Sequence, residues 1–140
     1  MILEVVKECS FDAAHFLPGY DGKCNKIHGH SWRVQVGFKG QINPETGMVI
    51  DFVEVKRIME HYIINILDHS FLNALESRLT NDPVPKAVLS NFPNNLPTAE
   101  NMVEWIVWIL QTVLKGELEQ KLSFVRLYES STSYVEWRKD

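Results

Sequence analysis

Three of the five histidines in this sequence lie within sixteen residues, at His15, His28 and His30, and one of the two cysteines, Cys24, lies between them. His28 and His30 are two residues apart, just ahead of a segment predicted to be a β-strand, and residues two apart on an extended chain point to the same side. Three neutral imidazoles with an open fourth position form one of the known catalytic zinc sites. The spacing therefore predicts zinc, although histidines alone do not exclude iron or copper.

Cys24 is the second candidate for chemistry. A free cysteine often behaves as a small buried hydrophobic residue, but residues 21–26 form a polar segment in which such a role would be unusual. Lys23 and Lys26 favour the thiolate form of a neighbouring cysteine. We therefore predict that Cys24 is a base or nucleophile beside the metal, and we interpret Cys9, within the first predicted strand, as structural.

Other polar residues have two interpretations each. Asp68 and His69 follow a predicted helix, where a histidine can bind the last carbonyls, but a carboxylate beside a histidine also holds an acid–base group in one tautomer. Glu129 has the ordinary interpretation of a solvent-facing carboxylate at a strand end. Thr98 and Glu100 fit the N-cap and the first-turn acid of a helix. The residue pattern alone leaves these alternatives open.

Composition limits the class of protein. The chain has 140 residues, 45% hydrophobic and 23% charged, with a net charge of −4, which predicts a single domain over 1–140 and no nucleic-acid partner. No apolar run approaches the ~18–20 residues needed to span a bilayer, and the amino terminus lacks the features of a signal peptide. Two cysteines are too few for a disulfide scaffold, so we expect a cytoplasmic protein with free thiols.

The elements that must position these residues follow from periodicity. Alternation and helical spacing predict, in order, strands at 2–11 and 32–39, a helix near 52–67, a helix from Thr98 to Gly116, and strands at 121–129 and 133–138. Asp51 is predicted to cap the first helix, with Glu54 completing a capping box. Residues 73–97 are predicted to be a long loop. The order ββααββ predicts an α+β fold with a four-stranded antiparallel sheet and two helices on one face.

Several short motifs, in family order and spanning nearly the whole chain, carry a resemblance to a known family. They are Phe11-Asp-Ala-Ala-His15, Cys24-x-x-x-His28-Gly-His30, Gly47-Met-Val-Ile-Asp51-Phe, Leu67-Asp68-His69-x-x-Leu72-Asn73, Pro97-Thr98-x-Glu100-Asn101 and Glu129. With them the chain resembles the 6-pyruvoyltetrahydropterin synthase superfamily. Within it, the chain is most similar to the 6-carboxytetrahydropterin synthases of queuosine biosynthesis.

The resemblance implies a role for each candidate residue. Cys24 is implied as the proton-abstracting base, and His69, assisted by Asp68, as the second acid–base residue. Glu129 corresponds to the carboxylate that anchors the pterin ring and is also described as part of a relay with the histidine. The implied metal ligands are His15, His28 and His30. The implied substrate-binding residues at the helix start near the pterin pocket are Thr98 and Glu100.

The resemblance also implies a fold and an assembly. The fold is the tunnelling fold, in which trimers close their sheets into a barrel and two trimers stack into a homohexamer. Closure would cover the edges of a small sheet, which are otherwise exposed.

The implied reaction is zinc-dependent conversion of 7,8-dihydroneopterin triphosphate to 6-carboxy-5,6,7,8-tetrahydropterin, with release of acetaldehyde and triphosphate. Three residues separate Cys24 from His28, as in the carboxy synthases, whereas the animal-type pyruvoyl synthases have a longer interval. The alternatives are a 6-pyruvoyltetrahydropterin synthase, which eliminates triphosphate without cleaving the side chain, a non-catalytic zinc- or pterin-binding module, and a generic zinc hydrolase.

Overall fold

The structure is a computed structural model that describes residues 1–74, 92 and 96–140. Its strands are β1 (Leu3–His15), β2 (His28–Gly40), β3 (Ser70–Phe71), β4 (Leu122–Ser130) and β5 (Ser133–Arg138). Its helices are α1 (Phe52–Met59), a π-helical turn (Glu60–Ile64), α2 (Asn65–Leu67), α3 (Ala99–Val113) and α4 (Glu117–Lys121), with 3-10 turns at Lys23–Asn25 and Leu72–Ala74. The predicted α+β class is confirmed.

The sheet has five strands in the order β3-β1-β2-β4-β5. The predicted four-stranded antiparallel sheet is therefore wrong, because β3 adds a fifth strand that runs parallel to β1. This strand pairs only Ser70 and Phe71 with Ala13 and Ala14. Two residues are too few to show the alternation by which strands are recognised in a sequence.

β1 and β2 are longer than predicted, and the extra residues carry the histidines. β1 continues from residue 11 to His15, and β2 begins at His28 rather than at residue 32. The two strands are antiparallel over their whole length, from Leu3 opposite Gly40 to His15 opposite His28. Residues 13 and 14 are alanine and residue 29 is glycine, and both types have weak strand preferences. The strand pattern in the sequence therefore does not extend to the histidines.

The core lies between one face of the sheet, here called the inner face, and the helices. On β2 this face presents Trp32, Val34, Val36 and Phe38, each with 0% exposure. The helices that cover it contribute residues at helical spacing to the same buried cluster, including Val55, Met59, Ile63, Met102, Trp105 and Ile106. Both predicted helices therefore pack through their apolar stripes.

The first predicted helix is present over 52–67, with a π-helical turn in its middle. Asp51 caps it as predicted, because its Oδ1 accepts a hydrogen bond from the Val53 N–H at 2.9 Å. Glu54 does not complete the predicted capping box. Its carboxylate instead accepts from Arg57 one turn later, at 2.9 Å.

The second predicted helix also begins where expected. The Thr98 hydroxyl accepts from the Asn101 N–H at 3.2 Å, which makes Thr98 the N-cap. The helix ends at Val113 rather than at Gly116, whose φ of 60° instead forms the turn into the unpredicted helix α4. The predicted loop at 73–97 falls largely outside the described residues. Of the helices that the structure describes, none combines the length and apolarity that crossing a membrane requires.

Candidate metal centre and acid–base site

The three clustered histidines share one end of the inner face. His28 lies directly opposite His15 on the neighbouring strand, and His30 lies opposite Ala13. Side chains at alternate positions of a strand share a face, so His28 and His30 point the same way as the buried Trp32. The strand register alone therefore brings His15, His28 and His30 together.

The three imidazoles converge on one point. Their candidate ligand atoms all lie within 4.8 Å of one another, and their ring centroids are 4.6 to 5.1 Å apart. All three Nε2 atoms are buried and lack a hydrogen-bond partner among the described residues. Buried polar atoms are rarely left without a partner, and a metal ion would satisfy all three at once. The group can therefore hold a metal, and its all-nitrogen donor set suits zinc.

Backbone carbonyls fix the tautomers of two of these rings. His15 Nδ1–H donates to the Pro97 carbonyl at 2.8 Å, and His28 Nδ1–H donates to the Lys26 carbonyl at 2.7 Å. A carbonyl can only accept, so each Nδ1 carries the hydrogen and each Nε2 presents its lone pair to the centre. Contacts of this kind orient metal-bound histidines in proteins.

Burial also favours the neutral, metal-binding form of His15 and His30. Desolvation lowers the pKa of His15, and the bond to Pro97 only partly opposes that shift. Desolvation likewise lowers the pKa of His30, opposed in part by the charge of Glu129. Both rings are therefore neutral at neutral pH, which is the protonation state that binds metal.

Cys24 lies in the 3-10 turn that precedes β2 and is half-buried. Its backbone carbonyl accepts from the Leu17 N–H at 2.7 Å, which ties the turn back to the end of β1. In the sequence, the thiol therefore lies between two of the clustered histidines, on a segment closed by the bond from Leu17.

Asp68 and His69 lie beside β1. Asp68 Oδ2 is 3.0 Å from His69 Nδ1, and Asp68 Oδ1 accepts from the Asp12 N–H at 2.9 Å. The His69 N–H donates to the Asp12 carbonyl at 2.6 Å. The bond from the Asp12 N–H contributes most to lowering the pKa of Asp68, so this carboxylate is ionised and accepts from the imidazole. Within the described residues, the His69 ring contacts this carboxylate and not the helix carbonyls that a capping role requires.

His69 has an unusual backbone conformation. Its φ is 58°, the only positive value for a described residue other than glycine, and such a conformation costs about 1 kcal/mol or more. The side chain is 81% exposed. The strain is maintained by the hydrogen bonds to Asp12, and it presents the imidazole to an open cavity.

His30 also lines that cavity. The cavity has a volume of about 500 Å³, and its lining residues come from β1, from β2 and from residues 69–70 at the entry to β3: Asp12, Ala13, Ala14, Gly29, His30, Ser31, His69 and Ser70. Ser31 Oγ–H donates to Asp12 Oδ1 at 2.7 Å within it. One cavity therefore contacts both a candidate metal ligand and the candidate acid–base histidine.

The profile of the family described as 6-pyruvoyl tetrahydropterin synthase matches residues 4–140. The chain belongs to this family. The predicted resemblance is thereby confirmed.

Known members of the family align along the whole chain. The 6-carboxy-5,6,7,8-tetrahydropterin synthase of Haemophilus influenzae is 33% identical, over 99% of this chain and 100% of its own length. The human 6-pyruvoyl tetrahydrobiopterin synthase is 32% identical, over 96% of this chain and 90% of its own. The solved structure of Caenorhabditis elegans 6-pyruvoyl tetrahydropterin synthase superposes with a TM-score of 0.76 at 23% identity, covering 100% of this chain and 97% of the other. This likeness shows that the chain has the fold of that enzyme.

The remaining predicted residues differ in how closely they approach the centre. The Glu129 side chain is one-third exposed. Its Oε1 lies 3.4 Å from His30 Nε2, without hydrogen-bond geometry. Thr98 follows Pro97, whose carbonyl binds His15, so the start of α3 adjoins the three clustered histidines. Glu100 is exposed in the first turn of α3.

Sequence reasoning missed the residues that support the centre. The Trp32 ring lies 5.2 Å from the rings of both His15 and His30, and its indole N–H donates to the Ala13 carbonyl at 3.3 Å. Its position two residues after His30 on the same strand face was an available signal. The roles of Asp12 and Ser31 had no such signal, because they depend on contacts between distant segments.

Proposed function

We propose that this chain is a zinc-dependent lyase that converts 7,8-dihydroneopterin triphosphate to 6-carboxy-5,6,7,8-tetrahydropterin. The reaction takes up one water and releases acetaldehyde and triphosphate. The observation that carries the proposal is the convergence of three buried Nε2 atoms that lack a hydrogen-bond partner among the described residues, together with a cavity that both His30 and His69 line. The family match and the carboxy synthase of H. influenzae support the choice of substrate class.

The metal would be held by the three clustered histidines through Nε2. When bound, zinc supplies a Lewis acid that polarises the hydroxyl oxygens of the substrate side chain and makes the adjacent C–H protons more acidic. The neutral rings and the two carbonyl-fixed tautomers support this arrangement.

Two side chains would move the protons. The thiolate of Cys24 takes a proton from the side-chain carbon, and His69 exchanges a proton with the side-chain oxygens from the cavity. Asp68 keeps the His69 ring in one tautomer, with Nδ1–H directed at the carboxylate and Nε2 free for transfer. Asp68 is a positioning residue in this scheme, because it acts through the histidine.

Glu129 would bind the pterin ring. A carboxylate accepts two parallel hydrogen bonds from a ring N–H and an adjacent amino group, and Glu129 is partly exposed beside His30. Thr98 and Glu100 would contact the substrate from the start of α3. The positive end of that helix adds a favourable interaction with an anionic substrate.

Replacing Glu129 with glutamine is expected to raise KM for the pterin substrate by about 10- to 100-fold, because one charged hydrogen bond is lost and an NH2 group meets the ring N–H. Steady-state kinetics together with zinc analysis measure the effect. Exposed Glu119 in α4 provides a matched control, Glu119→Gln, for which KM should not change. A loss of zinc in Glu129→Gln at an unchanged KM would instead assign the carboxylate to the metal centre.

The proposed assembly is a homohexamer made of two stacked trimers, each chain acting as one domain over 1–140 in the cytoplasm. Its support is the state of the sheet edges. In the described part of the chain, β3 covers only Ala13 and Ala14 of β1, and β5 pairs on one side only. Open edges of this length favour pairing with another chain. Exposed apolar side chains at Ile2 and Val6 add to the surface available.

The product distinguishes this proposal from its alternative. Near-equal identity to the carboxy synthase of H. influenzae and to the human pyruvoyl synthase leaves the three-residue interval between Cys24 and His28 as the feature that favours the carboxy product. We expect the zinc-loaded protein to convert dihydroneopterin triphosphate to a carboxypterin and acetaldehyde, identified by mass spectrometry. A pyruvoyl product without acetaldehyde would select the alternative activity, and binding without turnover would indicate a non-catalytic module.

A further inference from the structure

One side chain, Asn73, binds both backbone polar groups of Phe16. The Phe16 N–H donates to Asn73 Oδ1 at 2.8 Å, and Asn73 Nδ2–H donates to the Phe16 carbonyl at 2.8 Å. A carboxamide carries one acceptor oxygen and an N–H donor, which are the groups that a peptide unit offers to a neighbouring strand. Asn73 therefore contacts Phe16 as the backbone of a neighbouring strand would.

The register of the sheet explains this mimicry. β3 pairs in parallel with β1, with Ser70 opposite Ala13 and Phe71 opposite Ala14. Continued by two more residues, the same register places Asn73 opposite Phe16. The backbone has by then turned into the 3-10 turn Leu72–Ala74, so the side chain of Asn73 supplies the pairing that the backbone no longer makes. The rings of Phe16 and Phe71 stack beside it at 6.0 Å.

Phe16 begins the segment that carries Cys24. The next residue, Leu17, donates its N–H to the Cys24 carbonyl at 2.7 Å, so hydrogen bonds link Asn73 to the turn that holds the thiol. On the other side of His15, the His69 N–H binds the Asp12 carbonyl. The segment 69–73 thus holds β1 on both sides of His15.

We propose that Asn73 is a positioning residue that fixes the Cys24 segment relative to His15 and to the Asp68–His69 pair. Its effect on turnover rests on the proposed function, whereas its effect on the location of the thiol does not. No other side chain of this length offers the two contacts, because aspartate lacks the donor and leucine lacks both groups.

The test compares the rates at which iodoacetamide alkylates the two cysteines in native zinc-loaded protein. In Asn73→Ala we expect Cys24 to react at least about 5-fold faster, because local opening exposes the segment, while Cys9 in β1 stays within about 2-fold. The kcat should fall about 10-fold or more with little change in KM, because the base is no longer held in place. Peptide mapping by mass spectrometry reports both thiols in one sample.

Two controls make the result decisive. Exposed Asn65, whose side chain makes no hydrogen bond to another described residue, gives the matched variant Asn65→Ala, in which neither thiol should change. If Asn73→Ala does not fold, Asn73→Asp keeps the acceptor for the Phe16 N–H and should show the same selective change in Cys24. Equal acceleration of both thiols, or no change in either, would overturn the proposal. A wild-type protein that alkylates as expected but does not turn over the pterin would instead count against the proposed function.

Discussion

Replacing Cys24 with alanine is expected to lower turnover of dihydroneopterin triphosphate by about three orders of magnitude while the zinc content stays at that of the wild type. Loss of a positioned general base typically costs about 10²- to 10⁴-fold. The proposed zinc ligands are all imidazoles, and the second contacts of His15 and His28 are to backbone carbonyls, so we expect removal of the thiol to leave the proposed metal centre intact. We therefore expect this variant to lose turnover while it keeps its zinc.

The measurement is kcat with zinc analysis of the same preparation. Cys9→Ala is the matched control, because Cys9 lies in β1, is half-buried, and burial raises the pKa of its thiol. That control should keep full activity per zinc. A Cys24→Ala protein with wild-type turnover would remove the thiol from the mechanism and favour a hydrolase-like site in which the thiol is dispensable.

The shared face of His28 and His30 and the caps of the two predicted helices could be predicted because they obey local rules. Two histidines with a spacing of two share a strand face wherever that strand occurs. Asp51 and Thr98 cap helices through bonds to residues two and three positions ahead, and such bonds are visible as sequence motifs. Side-chain chemistry within a few residues was enough in each case.

The parts that could not be predicted depend on contacts between distant segments. Asp68 binds the Asp12 N–H across 56 positions, and Asn73 binds Phe16 across 57. These contacts flank the two-residue strand β3 and hold its ends against β1. The positive φ of His69 has the same origin, since nothing in the local sequence demands a left-handed conformation there. Tertiary contacts outweighed local preference at these residues.

The division between residues that could be predicted and residues that could not matches their proposed chemical roles. The proposed metal ligands need a rigid frame, which paired strands provide. The proposed acid–base residues lie on connections, Cys24 in a 3-10 turn and His69 at a strained position just before β3. Connections can present side chains to a cavity, but their geometry must be fixed by hydrogen bonds from elsewhere.

Replacing His15 with alanine is expected to remove zinc and, with it, activity. His15 is only 1% exposed, so the variant loses a ligand and leaves a small buried space beside Trp32. Binding of zinc to the folded state adds about 4 kcal/mol of stability when free zinc is a thousand times Kd, which corresponds to a rise in Tm of about 10 °C for a chain of this size. Treatment of the wild type with a chelator should lower Tm by a similar amount, and the same treatment should leave the His15→Ala Tm unchanged.

The control is His61→Ala. His61 is exposed in the π-helical turn, where its ring contacts Tyr62 at 4.6 Å, far in the chain from the clustered histidines. The His61→Ala protein should bind about one zinc per chain, as we expect for the wild type, and its Tm should fall by the same amount on treatment with the chelator. Zinc retained in His15→Ala at wild-type stoichiometry, with Tm still responsive to the chelator, would show that the metal is held elsewhere. If His15→Ala loses zinc and His61→Ala keeps it, the ion is assigned to the three converging imidazoles. Each variant removes one imidazole from the same fold, so only the position of that imidazole differs.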